Sequence, residues 1–229
     1  MTSPPEAGAT RPAAVVFDCD GVLIESVEIK TEAFVELFAD HPEHHEAIAR
    51  HHQDNLGVSR FEKFAWIYRE LLGRELDADE SAELGRRFSQ LVFERAVRCP
   101  EVLGTSETLA TLHAAGIPLF VASGTPQEEL ERLIAARGWR ESFRGIHGSP
   151  STKPWILSAI SRALGCAPGS LVFVGDGRSD LDAAREAGVP FILRATAAQE
   201  ERFAGYDGPR IADLGGLAER LTRPDQSGL

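Results

Sequence analysis

Asp18 and Asp20 stand two residues apart in the run Phe17-Asp18-Cys19-Asp20-Gly21. In extended chain that spacing puts both carboxylates on one side. Two carboxylates aimed at one point repel unless a cation sits between them. Hard oxygen ligands of this kind suit magnesium, which keeps several waters and binds through few carboxylates plus a substrate phosphate. Gly21 then lets the chain turn sharply away. The alternative is a strand end followed by helix-capping acids.

Three further clusters carry chemistry. In Ser123-Gly124-Thr125-Pro126, the free amides of Ser123, Gly124 and a first helical turn form an anion cradle, with the Ser123 hydroxyl as another donor. Thr125 as N-cap, Pro126 at N1 and Glu128 at N3 read as a capping box, so a well-capped helix without a ligand is the competing account. Lys153 precedes Pro154, the expected first helical residue, which places a cation where the helix dipole disfavours it. An anion nearby reverses that sign, so Lys153 either binds phosphate and quiets a nucleophile's charge or is a solvated surface lysine. In Gly175-Asp176-Gly177-Arg178-Ser179-Asp180-Leu181-Asp182, Asp176 is the best further metal ligand. Asp180, about one helical turn later, is placed to hold metal-bound water or to position Lys153. Asp182 reads as an acid near a helix N-terminus, and Gly188 fits the position that closes that helix.

These clusters follow short apolar runs. Ala13 to Phe17, Ile117 to Ala122, Ser170 to Gly175 and Val189 to Leu193 read as buried parallel strands separated by helical patterns. The alternation predicts an α/β fold with a doubly wound parallel sheet. Ligands of such sheets bind beyond the carboxyl ends of the strands, which gathers the four clusters into one candidate site. Residues 27–98 break the alternation with helical stretches and no convincing strand, and so predict an inserted α-helical cap domain. The core domain then comprises residues 13–26 and 99–222, with loose tails at 1–12 and 223–229. Within the cap, Phe61, Phe64, Ala65, Ile67, Tyr68 and Leu71 follow helical spacing and are expected in the core of a small bundle. Links near Glu25 to Val27 and Arg98 to Gly104 are expected to let the cap open and close.

The 229 residues, 43% hydrophobic and 26% charged, are those of an ordinary globular protein. A net charge of −11 argues against nucleic acid or anionic membrane as partners. No apolar run spans a bilayer and no apolar signal segment stands at the N-terminus, which suggests a cytoplasmic protein. Cys19, Cys99 and Cys166 lack ligand spacing and are expected to be reduced thiols.

Taken together, FDCDGVLIES, VASGTP, STKP and VGDGRSDLDAAREAG resemble the four ordered motifs of the haloacid dehalogenase superfamily. A helical cap just after the first motif resembles the phosphoglycolate phosphatase and β-phosphoglucomutase branch. The resemblance implies a Rossmann-like core and a magnesium-dependent phosphatase acting on a small phosphorylated metabolite. It implies Asp18 as nucleophile and Asp20 as general acid and base, with Ser123, Gly124 and Lys153 binding the transferring phosphoryl group. Mg²⁺ would be held by Asp18, the backbone carbonyl of Asp20, and Asp176, with Asp180 in support. Gly177 stands where many members have serine. An acid step by Asp20 calls for a raised pKa when an anionic phosphate lies beside it.

Asn55-Leu56-Gly57-Val58-Ser59-Arg60 resembles the segment by which β-phosphoglucomutase holds its substrate's second phosphate. A phosphosugar mutase with Arg60 as anion site is therefore the alternative, and a non-catalytic binding protein on the same scaffold a further one. Asn55 and His52, just upstream, are candidate substrate-binding groups; a polar helix face is the other account of the histidines. Dehalogenase chemistry has no use for Asp20 or Asp176.

Overall fold

The computed structural model describes residues 11–196 and 202–223; the expected tails lie largely outside them. β1 (Ala14–Phe17) is a run of four buried apolar residues at the centre of the molecule. The chain then forms α1 (Val27–Leu37), α2 (His45–Asp54), α3 (Arg60–Trp66), continued by a π-helical turn over Ile67–Leu71, and α4 (Ala78–Arg98). The core resumes with α5 (Thr105–Ala114), β2 (Leu119–Pro126), α6 (Gln127–Ala136), β3 (Gly145–Ser149) and α7 (Lys153–Leu164). It continues through β4 (Leu171–Gly175), α8 (Arg178–Ala187), β5 (Phe191–Arg194), β6 (Arg210–Ile211) and α9 (Leu217–Thr222). Gly188 ends α8 in the left-handed region, as its position in the sequence suggests.

All strand pairs are parallel, in the order β3-β2-β1-β4-β5-β6. The order reverses at β1, so crossovers wind to both faces and leave a crevice at its carboxyl end. Alternate residues of β1 enter different cores. Val15 and Phe17 pack with α5, α6 and α9 through Leu112, Leu130 and Leu217, whereas Ala14 and Val16 pack with α7 and α8 through Ile156 and Leu181. The first of these clusters runs on without a break into the helical insertion at Phe34, Phe64 and Phe88.

Three local expectations are corrected. β3 and β6 were not announced by apolar runs: Gly145–Ser149 contains a single large apolar residue, Ile146, and β6 has two residues. β2 extends four residues beyond Ala122 to Pro126. Phe64, Ile67 and Tyr68 are buried, but Phe61 and Ala65 are exposed and Leu71 is half-buried, because the buried stripe runs through Arg60, Lys63, Phe64, Ile67 and Tyr68 at helical spacing and Phe61 and Ala65 fall outside it. No described helix is long and apolar enough to cross a membrane.

Candidate active site

β1 pairs on both sides up to Phe17, so the next residue leaves the sheet at the mouth of the crevice. Asp18 is 1% exposed there, and its Oδ1 accepts from the Cys19 amide at 2.7 Å. β4 delivers Asp176 beside it, also 1% exposed. Both Asp176 oxygens are buried without a hydrogen-bond partner. Gly21, at φ +71°, permits the close turn over them, since a Cβ there would strike the Asp176 carboxylate.

Lys153 opens α7 and reaches back into this acidic cluster. Its Nζ donates to Asp18 Oδ2 at 2.9 Å and makes a short contact with Asp180 Oδ1. Asp180 Oδ2 accepts from the Gly177 amide at 3.0 Å, so both Asp180 oxygens are engaged and the residue positions Lys153. Asp18 and Asp180 outweigh burial and hold Lys153 firmly protonated. Burial is the largest influence on Asp18 and raises its pKa to about 7; Lys153 opposes it, while Asp180 and Asp20 add to it. Burial, then Asp18 and Asp180, push Asp176 well above the ordinary carboxylate range.

Such crowding of orphaned carboxylates is the condition a bound divalent cation relieves. Carboxylate oxygens of Asp18, Asp176 and Asp180 lie within 4.8 Å of one another, and the donor set is all oxygen. The residues therefore fit a hard cation. Asp20 takes no part through its side chain: Oδ1 accepts from Ser26 Oγ at 2.6 Å, and Oδ2 accepts from Lys30 Nζ at 2.5 Å and Thr125 Oγ1 at 3.0 Å.

That network corrects one expectation and sets the resting state of Asp20. Thr125 does not cap α6, whose preceding residue is Pro126 with no side-chain cap, because its hydroxyl is spent on Asp20. Without a phosphate beside it the Asp20 pKa is lowered to about 2: burial works upward, but the Lys30 charge and hydrogen bonds from Lys30, Ser26 and Thr125 outweigh it. Ser123 and Gly124 lie where β2 takes four steps, Ala122 to Pro126, against two on β3, His147 to Ser149. The resulting bulge turns them toward the cavity, which they line with Asp18, Asp20 and Asp176.

The helical insertion roofs this cavity of about 40 Å³ with Lys30, His52, Arg60 and Lys63. The loop Leu56–Gly57 seats on the core: Ser179 Oγ donates to the Leu56 carbonyl at 2.6 Å. A Cβ on Gly177 would run into that same carbonyl, which accounts for glycine at a position where the family resemblance expects serine. Arg60 reaches the cavity wall, but Glu129 of α6 takes both its terminal nitrogens at 2.7 and 3.0 Å, and it also donates to Ser89 Oγ at 2.8 Å. In this structure Arg60, expected as a site for a second anion, is thus engaged by Glu129. Asn55 does not line the cavity; its Nδ2 donates to the His51 carbonyl at 2.8 Å, and His51 stacks on Trp66. His52 does line it, 4% exposed. Sequence reasoning missed Lys30, Lys63 and Glu129. The signal for Lys30 was the i, i+4 spacing Ser26-Lys30-Phe34, which puts Lys30 and Phe34 on the face of α1 that follows Ser26, the residue just before the helix.

A sequence model of the haloacid dehalogenase-like hydrolases matches residues 12–188. The phosphoglycolate phosphatase of Rhodospirillum rubrum is 28% identical over 218 residues, which are 90% of this chain and 86% of that protein. Among solved structures, CbbY from Rhodobacter sphaeroides in complex with phosphate superimposes with a TM-score of 0.69 at 25% identity, covering 89% of this chain and 96% of that one. The β-phosphoglucomutase of Clostridium difficile shares the fold, with a TM-score of 0.70 at 14% identity over 92% of this chain and 97% of its own. With four motif clusters converging at one strand-end crevice, and the matching model covering most of the chain, this protein belongs to the haloacid dehalogenase-like hydrolases.

Proposed function

We propose that the protein is a magnesium-dependent phosphatase that hydrolyses a small phosphomonoester through an aspartyl-phosphate on Asp18. The observation that carries this reading is the buried Asp176 carboxylate without a partner, facing an Asp18 already ion-paired to Lys153. In this reading Mg²⁺ is held by Asp18, Asp176 and the main-chain carbonyl of Asp20, and supplies positive charge against the phosphoryl oxygens. The residues do the rest. Asp18 Oδ attacks phosphorus in line, forming the acyl-phosphate O–P bond as the ester O–P bond breaks. Lys153 and donors of the Ser123-Gly124 bulge bind the equatorial oxygens. Asp20 delivers a proton to the leaving alkoxide and then takes one from the water that hydrolyses the acyl-phosphate. Its lowered pKa belongs to the site without substrate, where Lys30 holds it; an arriving phosphate brings negative charge that raises it.

Residues 27–98 act as the cap in this account. The two connecting strands run side by side: Glu25 N donates to the Pro100 carbonyl at 3.0 Å and Val102 N to the Leu23 carbonyl at 3.0 Å. A paired link of this kind confines bending to a narrow hinge. The mutase reading needs Arg60 free for a second phosphate, and the Glu129 pairing counts against it. A binding-only protein needs damage at a catalytic position, and Asp18, Asp20, Ser123, Lys153 and Asp176 are all present.

The relatives' name makes 2-phosphoglycolate the first substrate to try. The test is phosphate release from phosphoglycolate, sugar phosphates and nucleotides, with Mg²⁺ or a chelator. Magnesium-dependent release from a small monoester supports the reading. Conversion of β-glucose 1-phosphate to glucose 6-phosphate without release would replace it with the mutase.

A further inference from the structure

Three cations of the helical insertion line the cavity together with Asp18, and two are already neutralised. Lys30 is paired with Asp20, and Arg60 with Glu129. Lys63, one turn after Arg60 on α3, is different. It is 3% exposed, and its ammonium donates to His52 Nδ1 at 2.9 Å and lies 5.5 Å from the centre of the Phe34 ring. Among the described residues no carboxylate pairs with it. His52 is itself kept neutral, by burial first and then by Lys63, so it accepts at Nδ1 and supplies no negative charge. Burial and the neighbouring Lys30 charge lower the Lys63 pKa to about 7.

A buried ammonium without a counter-ion is costly, and the cost is recovered when an anion binds against it. The cavity it lines is also lined by Asp18, Asp20 and Asp176 and measures about 40 Å³. At roughly 10–15 Å³ for each water, that is room for about three waters. A cavity this small favours a phosphoryl group on a short leaving group, and the smallest acidic function such a leaving group can bring to Lys63 is a carboxylate.

We propose that Lys63 is a specificity-determining residue that receives a carboxylate on the leaving-group end of the substrate, with His52 holding the ammonium in place. The proposal rests on the phosphatase reading and adds to it the recognition of the substrate's second charge. Phe34, Leu56 and Phe88 close the remaining wall with apolar surface, so a neutral leaving group of the same length binds without a partner for the ammonium.

The experiment compares kcat/KM for 2-phosphoglycolate and ethyl phosphate, which share a phosphoryl group and two carbons and differ in the carboxylate. Wild type with Mg²⁺ is expected to prefer phosphoglycolate by about 10⁴-fold, the scale on which a site built for a polar group rejects an analogue lacking it. Lys63→Met is expected to bring that ratio to within about threefold, and to unfold at a temperature no lower than wild type because an unpaired buried charge has been removed. A purely packing role for Lys63 would instead lower the unfolding temperature and leave the ratio alone. Lys63→Gln serves as the second variant should the methionine form not fold. Wild type that turns over both substrates equally, or a folded variant that keeps the preference, overturns the inference and leaves the phosphatase reading standing. Release from neither of these two but from a sugar phosphate overturns the inference alone; release from no phosphomonoester of the wider panel overturns both.

Discussion

Glu129 on core helix α6 grips both terminal guanidinium nitrogens of Arg60 on α3, at 2.7 and 3.0 Å. The pair is nearly buried, with side chains 4% and 11% exposed, and Arg60 also lies over the Phe88 ring at 4.6 Å. It is a bidentate contact between the helical insertion and the core, on the lip of the cavity. Such a pair fixes geometry, and removing one partner strands the other. Arg60→Ala is therefore expected to destabilise the protein by about 3 kcal/mol and raise KM, whereas Arg60→Met with Glu129→Leu restores most of the stability. A double-mutant cycle by urea unfolding checks this; a coupling energy near zero would show that the contact does not hold the closed form.

The seat of the Leu56–Gly57 loop gives a second expectation. Gly177 has no space for a Cβ beneath the Leu56 carbonyl, and Gly124 faces Gly57 O at 2.6 Å from where its own Cβ would stand. Gly177→Ser should keep the core folded but lift the loop, exposing the cavity to water. The expected result is a loss in kcat of about tenfold or more with far-UV circular dichroism unchanged. Wild-type turnover by the serine variant would mean the loop is not seated this way during catalysis.

The third concerns metal and pH together. Asp18 titrates at about 7 in the folded site and Asp176 is also raised, both above their ordinary values. Their folded forms hold protons more tightly than the unfolded chain does. Their contribution to stability is thus full below the unfolded pKa and is lost as pH rises through the folded one. Buried His52 and half-buried His51 are shifted downward and act in the opposite sense, so the bare protein's curve mixes the two. The difference between Mg²⁺ and chelator isolates the carboxylates, because bound metal displaces their protons. The rise in unfolding temperature on adding Mg²⁺ is expected to be larger at about pH 7.5 than at about pH 5, by several degrees. A metal effect independent of pH would place the ion elsewhere.

The strand ends and their polar residues were legible because a buried parallel strand is a short apolar run that stops where ligands bind. Asp18 and Asp176 were found in this way and Lys153 from its place before Pro154 at a helix start, and the structure brings all three together. β3 was not legible: an edge strand carrying Gly145, His147 and Gly148 shows neither apolar continuity nor alternation. Thr125 was read from local capping chemistry, which lost to the tertiary demand of Asp20. The roof was opaque for a related reason. Which faces of α2 and α3 look inward depends on how the insertion docks, so Lys63 and the partner of Arg60 carried no local signal.

The most direct test of the account is to quench the enzyme in acid during turnover of phosphoglycolate with Mg²⁺ and map the phosphoryl group by peptide mass spectrometry. The account predicts a hydroxylamine-sensitive phosphoryl group on the peptide containing Asp18, absent with chelator and absent in Asp18→Asn, whose kcat falls by about 10⁴-fold or more. Turnover by Asp18→Asn within about tenfold of wild type, or a phosphoryl group mapped to another residue, would contradict it.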